Sequence, residues 1–335
     1  MSTTPRPSLS ILDLVGVSEG QSMAEAIEVS MTAAELADEQ GYSRLWYAEH
    51  HNTRALASNA TTLLMDRAAS RTSRIRIGSG GIMLPNHSPL QVIEQFGTLV
   101  QFHGDRIDLG LGRAPGTDPL TSQLLWRGSA DPENFERSVA DMQAWASQNT
   151  TARHQIGAYI AEGTEVPMWV LGSSEAGAKI AASLGLPFAV ASHFAPYFYE
   201  QALNRYRHTF NASAPTAQSD TPRTMVGVNV VVAPTDAEAQ RQYSTLEQLF
   251  ASISMGKRSL VQPPVDTESV FTPRVLDHVR STLQVRAVGS PKTVVEQLES
   301  LAQKTKADEF IVTGYFFDPE DRFTSQRLLA EAWFE

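Results

Sequence analysis

Cysteine is absent from the chain, which removes disulfides, thiolate metal sites, iron–sulfur clusters and cysteine nucleophiles together. Positive charge is also scarce: 27 Lys and Arg stand against 37 Asp and Glu, a formal net charge of −10. With no broad cationic surface, neither nucleic acid nor an anionic membrane is expected as a partner. No apolar run approaches the roughly 20 residues that a bilayer crossing requires. Residues 1–8 are polar and proline-bearing, without the basic segment, apolar run and small-residue cleavage site of a secretory leader. The expectation is a soluble, cytoplasmic protein. The i, i+4 histidine pair of a zincin is missing, as is the G-x-S-x-G elbow of a serine hydrolase. Neither a metal site nor a serine nucleophile is therefore expected.

What is present is a long alternation of two periodicities. At 335 residues and 42% hydrophobic the chain can bury a large core, and α/β barrels reach this length as one domain. Strand-like apolar runs fall at 8–14, 44–48, 75–78, 107–111, 167–171, 188–191, 225–232 and 310–313. Stretches with helical spacing separate them, among them 23–40 ending at Gly41, 58–70, 89–102, 134–147 and 292–304. Eight strand–helix alternations without a half-way composition break predict a single (β/α)8 TIM barrel with insertions over residues 1–335. Two segments break the rhythm. Residues 150–166 read as a surface excursion, and 254–272, with Gly256, Pro263 and Pro264, read as a lid or a loop.

Several strand ends carry chemistry. Trp46-Tyr47-Ala48-Glu49-His50-His51-Asn52 reads as a strand running into two histidines, of which alternation turns only one inward. Strand carboxyl ends line the active sites of (β/α)8 barrels, so the pair nominates one acid/base imidazole, although a loop histidine bonded to a carbonyl fits the same residues. The third strand runs into Gly78-Ser79-Gly80-Gly81, where glycines permit close approach to a flat ligand or simply form a bulge. Gly110-Leu111-Gly112-Arg113 approaches the dinucleotide fingerprint, but Pro115, Gly116 and Pro119 follow where a Rossmann helix should begin. Arg113 at a strand end suits a phosphate or an inter-loop salt bridge. Gly172-Ser173-Ser174 opens a helix, which is either a phosphate site or an ordinary N-cap.

Taken in order, these four motifs resemble the bacterial luciferase-like flavin monooxygenases, over nearly the whole chain. The resemblance implies that His50 is an acid/base near the flavin. It implies that Ser79, Gly80 and Gly81 lie at the isoalloxazine ring, with Gly80 and Gly81 joined by a cis peptide. Arg113, Gly172, Ser173 and Ser174 would hold the flavin phosphate, and 254–272 would be a mobile lid. The implied activity uses reduced FMN as co-substrate and O2 to oxygenate a small organic substrate. A separate NAD(P)H:flavin reductase is expected to supply the flavin, since no Rossmann fingerprint is present. Gly112 stands where luciferase carries a reactive cysteine, so neither light emission nor an aldehyde substrate is carried over. A deazaflavin-dependent hydride-transfer oxidoreductase and a non-catalytic flavin-binding protein remain as alternatives, and a barrel hydrolase as a third. A homodimer is expected through the helix bearing Ala57, Ser58, Ala60, Ala68, Ala69 and Ser70, whose small residues equally suit packing on their own barrel.

Overall fold

The computed structural model describes residues 5–125, 132–147, 156–257 and 259–335. Ten strands are present among them: β1 (Ser8–Asp13), β2 (Arg44–Tyr47), β3 (Arg76–Ser79), β4 (Ile82–Met83), β5 (Ile107–Gly112), β6 (Met168–Gly172), β7 (Phe188–Val190), β8 (Thr224–Val232), β9 (Arg286–Gly289) and β10 (Glu309–Thr313). Eight of them close a parallel barrel in the order β1-β2-β3-β5-β6-β7-β8-β10, with β10 pairing both β8 and β1. Closure leaves the eight barrel strands no free edge along their shared length, and helices between successive strands cover the outside. Strands β2, β5, β8 and β10 are consequently buried at every position. The expected (β/α)8 architecture is the observed one.

The helices start and stop for local reasons. Helix Met23–Gln40 opens with a capping box, in which Ser22 accepts from the Glu25 amide and the Glu25 carboxylate accepts from the Ser22 amide. It ends at Gly41, whose φ of 86° lies in the left-handed region. Outward residues of the strands, such as Leu45, Tyr47, Val226 and Val228, pack beneath these helices in the main core.

The sequence reading missed two kinds of element. Strand β9 is four residues long and pairs only with the outer half of β8, beyond the barrel, where its alternating burial leaves no apolar run to detect. Helix Pro119–Leu125 falls where a loop was expected. Pro119, read as standing against a Rossmann helix, is here at the first position of a short helix, with Asp118 accepting from the Thr121 amide.

The excursion at 254–272 is tied to the barrel. Val261 is buried, and its backbone exchanges hydrogen bonds with Val17 and Glu19 at 2.9 Å each. Part of the 150–166 excursion lies outside the described residues, and its remainder packs Ala161 against Gly97 of helix Pro89–His103. Of the small residues considered for a dimer face, Ala57, Ser58, Ala68 and Ala69 are buried within this chain, while Ala60 and Ser70 are exposed. No helix among the described residues is long and apolar enough to cross a membrane.

Inside the barrel, side chains at every second position form layers. The lowest is ionic. Arg44 of β2 donates to Asp108 of β5 at 2.6 Å and to Glu309 of β10 at 2.7 Å. Arg76 pairs with Asp108 at 2.8 Å, Arg223 with Glu309 at 3.2 Å, and the Ser10 hydroxyl also donates to Glu309. Above this floor the indoles of Trp46 and Trp169 meet edge to face at 5.5 Å, with Leu12, Met225 and Ile311 around them. Inward glycines make the room: a Cβ on Gly78 would lie 2.5 Å from the Trp46 ring.

Arg44→Met would leave two buried carboxylates short of a cation, and breaking a buried pair in this way costs about 3 kcal/mol or more. Urea denaturation is expected to register that loss, and an unchanged midpoint would show that the floor does not hold the barrel.

Candidate active site

The mouth of the barrel lies at the carboxyl ends of the strands, and β2 delivers the first functional group to it. Its inward series runs Arg44, Trp46, Ala48, His50, so the alternation that puts a guanidinium in the floor puts an imidazole at the rim. The chain turns away at Asn52, whose φ of 51° is left-handed. The loop is pinned as the His50 amide donates to the Ser58 carbonyl at 3.2 Å and Asn59 Nδ2 donates to the His50 carbonyl at 2.8 Å. Nδ1 of His50 is buried and has no hydrogen-bond partner. Burial lowers the proton affinity of this ring, the Glu49 carboxylate raises it and His51 lowers it, for a net downward shift. His50 is therefore a neutral imidazole near neutral pH.

Glu49 and His51 occupy the other phase of the alternation, and there Glu49 is a hub that the motif reading did not foresee. Its carboxylate, 1% exposed, bonds Nε2 of His51 at 2.9 Å and Nε2 of His87 at 2.9 Å, and accepts from the Met83 amide at 2.9 Å. Asn86 Nδ2 donates to it at 3.3 Å. Burial alone would raise its pKa, but the His51 and His87 hydrogen bonds, the charge of His87 and the Met83 amide bring it down to about 2. The signal in the sequence was the Glu-x-His spacing, which places both side chains on one strand face. Asp13, at the end of β1, is equally engaged, with Arg322 at 2.7 Å, Ser30 at 2.6 Å and the Val15 amide at 2.8 Å. Neither carboxylate is free to act as an acid or a base, which disfavours a two-carboxylate hydrolase.

At β3 the Ser79 hydroxyl donates to the Gly110 carbonyl at 2.8 Å and accepts from the Gly110 amide at 2.9 Å. Its side chain is thus spent on the β3–β5 seam. The Gly80–Gly81 peptide is cis. A Cβ on Gly80 would lie 2.6 Å from Leu12 Cδ1 and one on Gly81 2.7 Å from the Gly110 carbonyl oxygen, so the protein's own neighbours require both glycines.

The β5 and β6 ends adjoin. Gly112 lies opposite Leu171 in the ladder, which brings Arg113 beside Gly172 on the next rung. Arg113 is half-buried and has no ion-pair partner among the described residues. Gly172 and Gly177 let strand and helix approach, since a Cβ on either would sit 3.3 Å from the other's Cα. Helix Glu175–Leu184 begins there, and Ser174 is its N-cap, accepting from the Gly177 amide at 3.4 Å. The ordinary cap therefore accounts for Ser174, whereas the Ser173 hydroxyl is uncommitted among the described residues. Glu175 in the first turn faces Arg205 at 3.4 Å. A guanidinium, a hydroxyl and first-turn amides without other duties can together hold a phosphate.

The motif reading also missed His193, three residues beyond β7. Its Nδ1 is buried without a partner, and burial together with the charge of His50 lowers its pKa to about 4. Among the described residues no group of three or more His, Asp or Glu side chains has the geometry to hold a metal ion.

Comparison with known proteins points one way. The family model described as luciferase-like monooxygenase matches residues 9–309. A luciferase-like monooxygenase of Escherichia coli strain K12 is 41% identical over 323 residues, covering 96% of this chain and 95% of that protein. Among solved structures apo-MsnO8 is 34% identical with a TM-score of 0.85, covering 98% of each chain. Two more distant structures share the fold. The oxygenating constituent of a 3,6-diketocamphane monooxygenase from Pseudomonas putida, in complex with FMN, has a TM-score of 0.69 at 18% identity, covering 97% of each chain. An F420-dependent secondary alcohol dehydrogenase has 0.68 at 15%, covering 98% of this chain and 99% of its own.

The hub makes a pH prediction. A carboxylate whose folded pKa is about 2, against 4.5 ordinarily, contributes stability that is complete above the ordinary value and is lost as pH falls towards the folded one. Between about pH 5 and pH 3 the wild type should lose roughly 2 kcal/mol that Glu49→Gln does not lose. Parallel denaturation curves for the two proteins across that window would contradict the assignment.

Proposed function

The chain belongs to the luciferase-like monooxygenase family, and from that premise we propose that it binds reduced FMN at the barrel mouth and uses O2 to oxygenate a small organic substrate. The observation that carries this reading is the buried, partnerless Nδ1 of His50 standing in the same mouth as Arg113 and Ser173, whose side chains have no partner among the described residues. A buried nitrogen without a partner is costly, and a bound molecule that supplies one relieves the cost. Reduced flavin, when bound, supplies the electrons and the site of oxygen activation.

The chain's own residues have separate tasks in this scheme. Arg113 and Ser173 hold the phosphate, assisted by the first-turn amides after Ser174 and by the close approach at Gly172. Gly80 and Gly81 keep the β3 end flat beneath the ring, and Ser79 fixes that end to β5 rather than touching the ligand. His50, neutral at physiological pH, accepts a proton at Nδ1 and returns it. The 254–272 segment, which follows helix Asp236–Ser254 and is tied at Val261 to the loop after β1, serves as the cover that excludes water. The reduced flavin comes from a separate NAD(P)H-dependent reductase. The working unit is a cytoplasmic homodimer, for which Leu63 and Phe102, 71% and 69% exposed on adjacent helices, offer an apolar face.

A second reading, hydride transfer with a deazaflavin, is kept because an F420-dependent dehydrogenase shares the fold. Oxygen uptake separates the two. Chemically reduced FMN added to the protein should be reoxidised with protein-dependent O2 consumption, and hydride transfer with F420 in place of any effect of FMN would replace the monooxygenase reading. His50→Asn should keep FMN binding while product formation falls roughly 100-fold. Arg113→Ala should weaken FMN binding about tenfold, the worth of one charge-assisted hydrogen bond. An unchanged dissociation constant would remove Arg113 from the phosphate site.

A further inference from the structure

Among the described residues, His51, His87, His103 and His208 each have a hydrogen-bond partner for a ring nitrogen. His50 and His193 differ, each keeping a buried Nδ1 with none. Both side chains turn into the barrel mouth. On β2 the series passes through Ala48 to His50, whereas His193 sits in the turn at 192–194 beyond β7, with its ring against Gly227 of β8. They therefore approach the barrel axis from two sides of one mouth, close enough for a charge on His50 to act on His193.

The space for the second ring is built. Residue 227 of β8 is glycine, and a Cβ there would lie 2.3 Å from His193 Nδ1. The backbone around the ring is fixed from β8 as well: Asn229 Nδ2 donates to the His193 carbonyl at 2.6 Å, and the Ser192 hydroxyl donates to the Gly227 carbonyl at 2.7 Å. Phe194 stands edge-on to the imidazole at 4.8 Å. A strand glycine, two side-chain-to-backbone hydrogen bonds and an aromatic neighbour thus position an imidazole whose Nδ1 bonds nothing in the protein.

We propose that His193 is a second catalytic imidazole, facing the same bound molecule as His50 and hydrogen-bonding it directly. The proposal rests on reading the mouth as a flavin site, and it divides the labour there. A charge on His50 disfavours a charge on His193. Burial and the charge of His50 bring His193 down to about 4, so it is neutral near neutral pH, and burial lowers His50 as well. The molecule between them carries an oxygen or nitrogen that meets a neutral imidazole on one side and an imidazole able to accept a proton on the other.

Two measurements on the whole protein test this. The first needs no ligand: with 15N-labelled histidine, the pH midpoint of His193 is followed by NMR in the wild type and in His50→Asn. Removing the His50 charge should raise the His193 midpoint, and an unmoved midpoint would overturn the pairing. The second follows FMN binding and the oxygen-dependent reoxidation of chemically reduced FMN in His193→Gln and Gly227→Ala. A glutamine amide has a reach similar to that of imidazole but cannot carry its proton. His193→Gln should therefore bind FMN as the wild type does yet reoxidise it roughly 100-fold more slowly. Gly227→Ala, which leaves the imidazole in the chain but takes its space, should slow the same step. Wild-type rates in both variants would overturn the proposal. Failure of the wild type itself to bind FMN would instead remove the flavin reading, with the ligand-free titration still deciding whether the two imidazoles face each other.

Discussion

Arg44 is the wedge on which the barrel closes. Its guanidinium joins β2 to β5 and β10 across the interior, reaching Asp108 and Glu309 while lying 5.2 Å from the Trp169 ring centre. A ring of eight parallel strands has to fill its own centre, and here charge forms the floor and two indoles lie above it, with Leu12, Met225 and Ile311 around them. Ions buried this deeply are held by geometry, because each depends on partners from other strands. The result is a floor of fixed register. Everything above it, Trp46, Ala48 and finally His50, follows from the same two-residue repeat.

The layers also explain why the mouth is open. Two indoles occupy the middle of the barrel, and the glycines at 78, 80 and 110 exist because a Cβ would strike Trp46, Leu12 or the Ser79 carbonyl. Above the indoles the inward residues shrink to Ala48, Gly112 and Gly227, leaving a space into which imidazoles project. Two groups of histidines stand out among the described residues. His51 and His87, bonded to Glu49, hold the segments after β2 and β4, and His103, bonded to Asp66, ties two helices together. Those at 50 and 193 each keep a buried nitrogen that bonds nothing in the protein, which is the physical ground for giving them to a ligand.

Most of the barrel was legible in the sequence because apolar runs, capping residues and glycine stops are local signals. Ser22 with Glu25 and the terminal Gly41 mark one helix to the residue. What escaped depends on partners far away in the chain. Strand β9 is a strand only because β8 extends beyond the barrel to meet it. Glu49 becomes a hub through His87, Met83 and Asn86, none of them near it in sequence. His193 lacked a motif altogether, and its significance lies in a glycine 34 positions later, at 227. Ser173 and Ser174 were indistinguishable as letters, and only the capping bond of Ser174 tells them apart.

The Glu49 hub gives the mouth a fixed jaw. One carboxylate gathers the segments after β2 and β4, and Ser79 stitches β3 to β5 beside them, so this arc behaves as a single stiff body. The opposite arc, after β7, presents Phe194 and Phe198 to solvent. Change in what the mouth admits can therefore accumulate at such exposed side chains while the hydrogen bonds beneath them keep His50 and His193 in place. A family built on this plan can diversify its guests without retuning its chemistry.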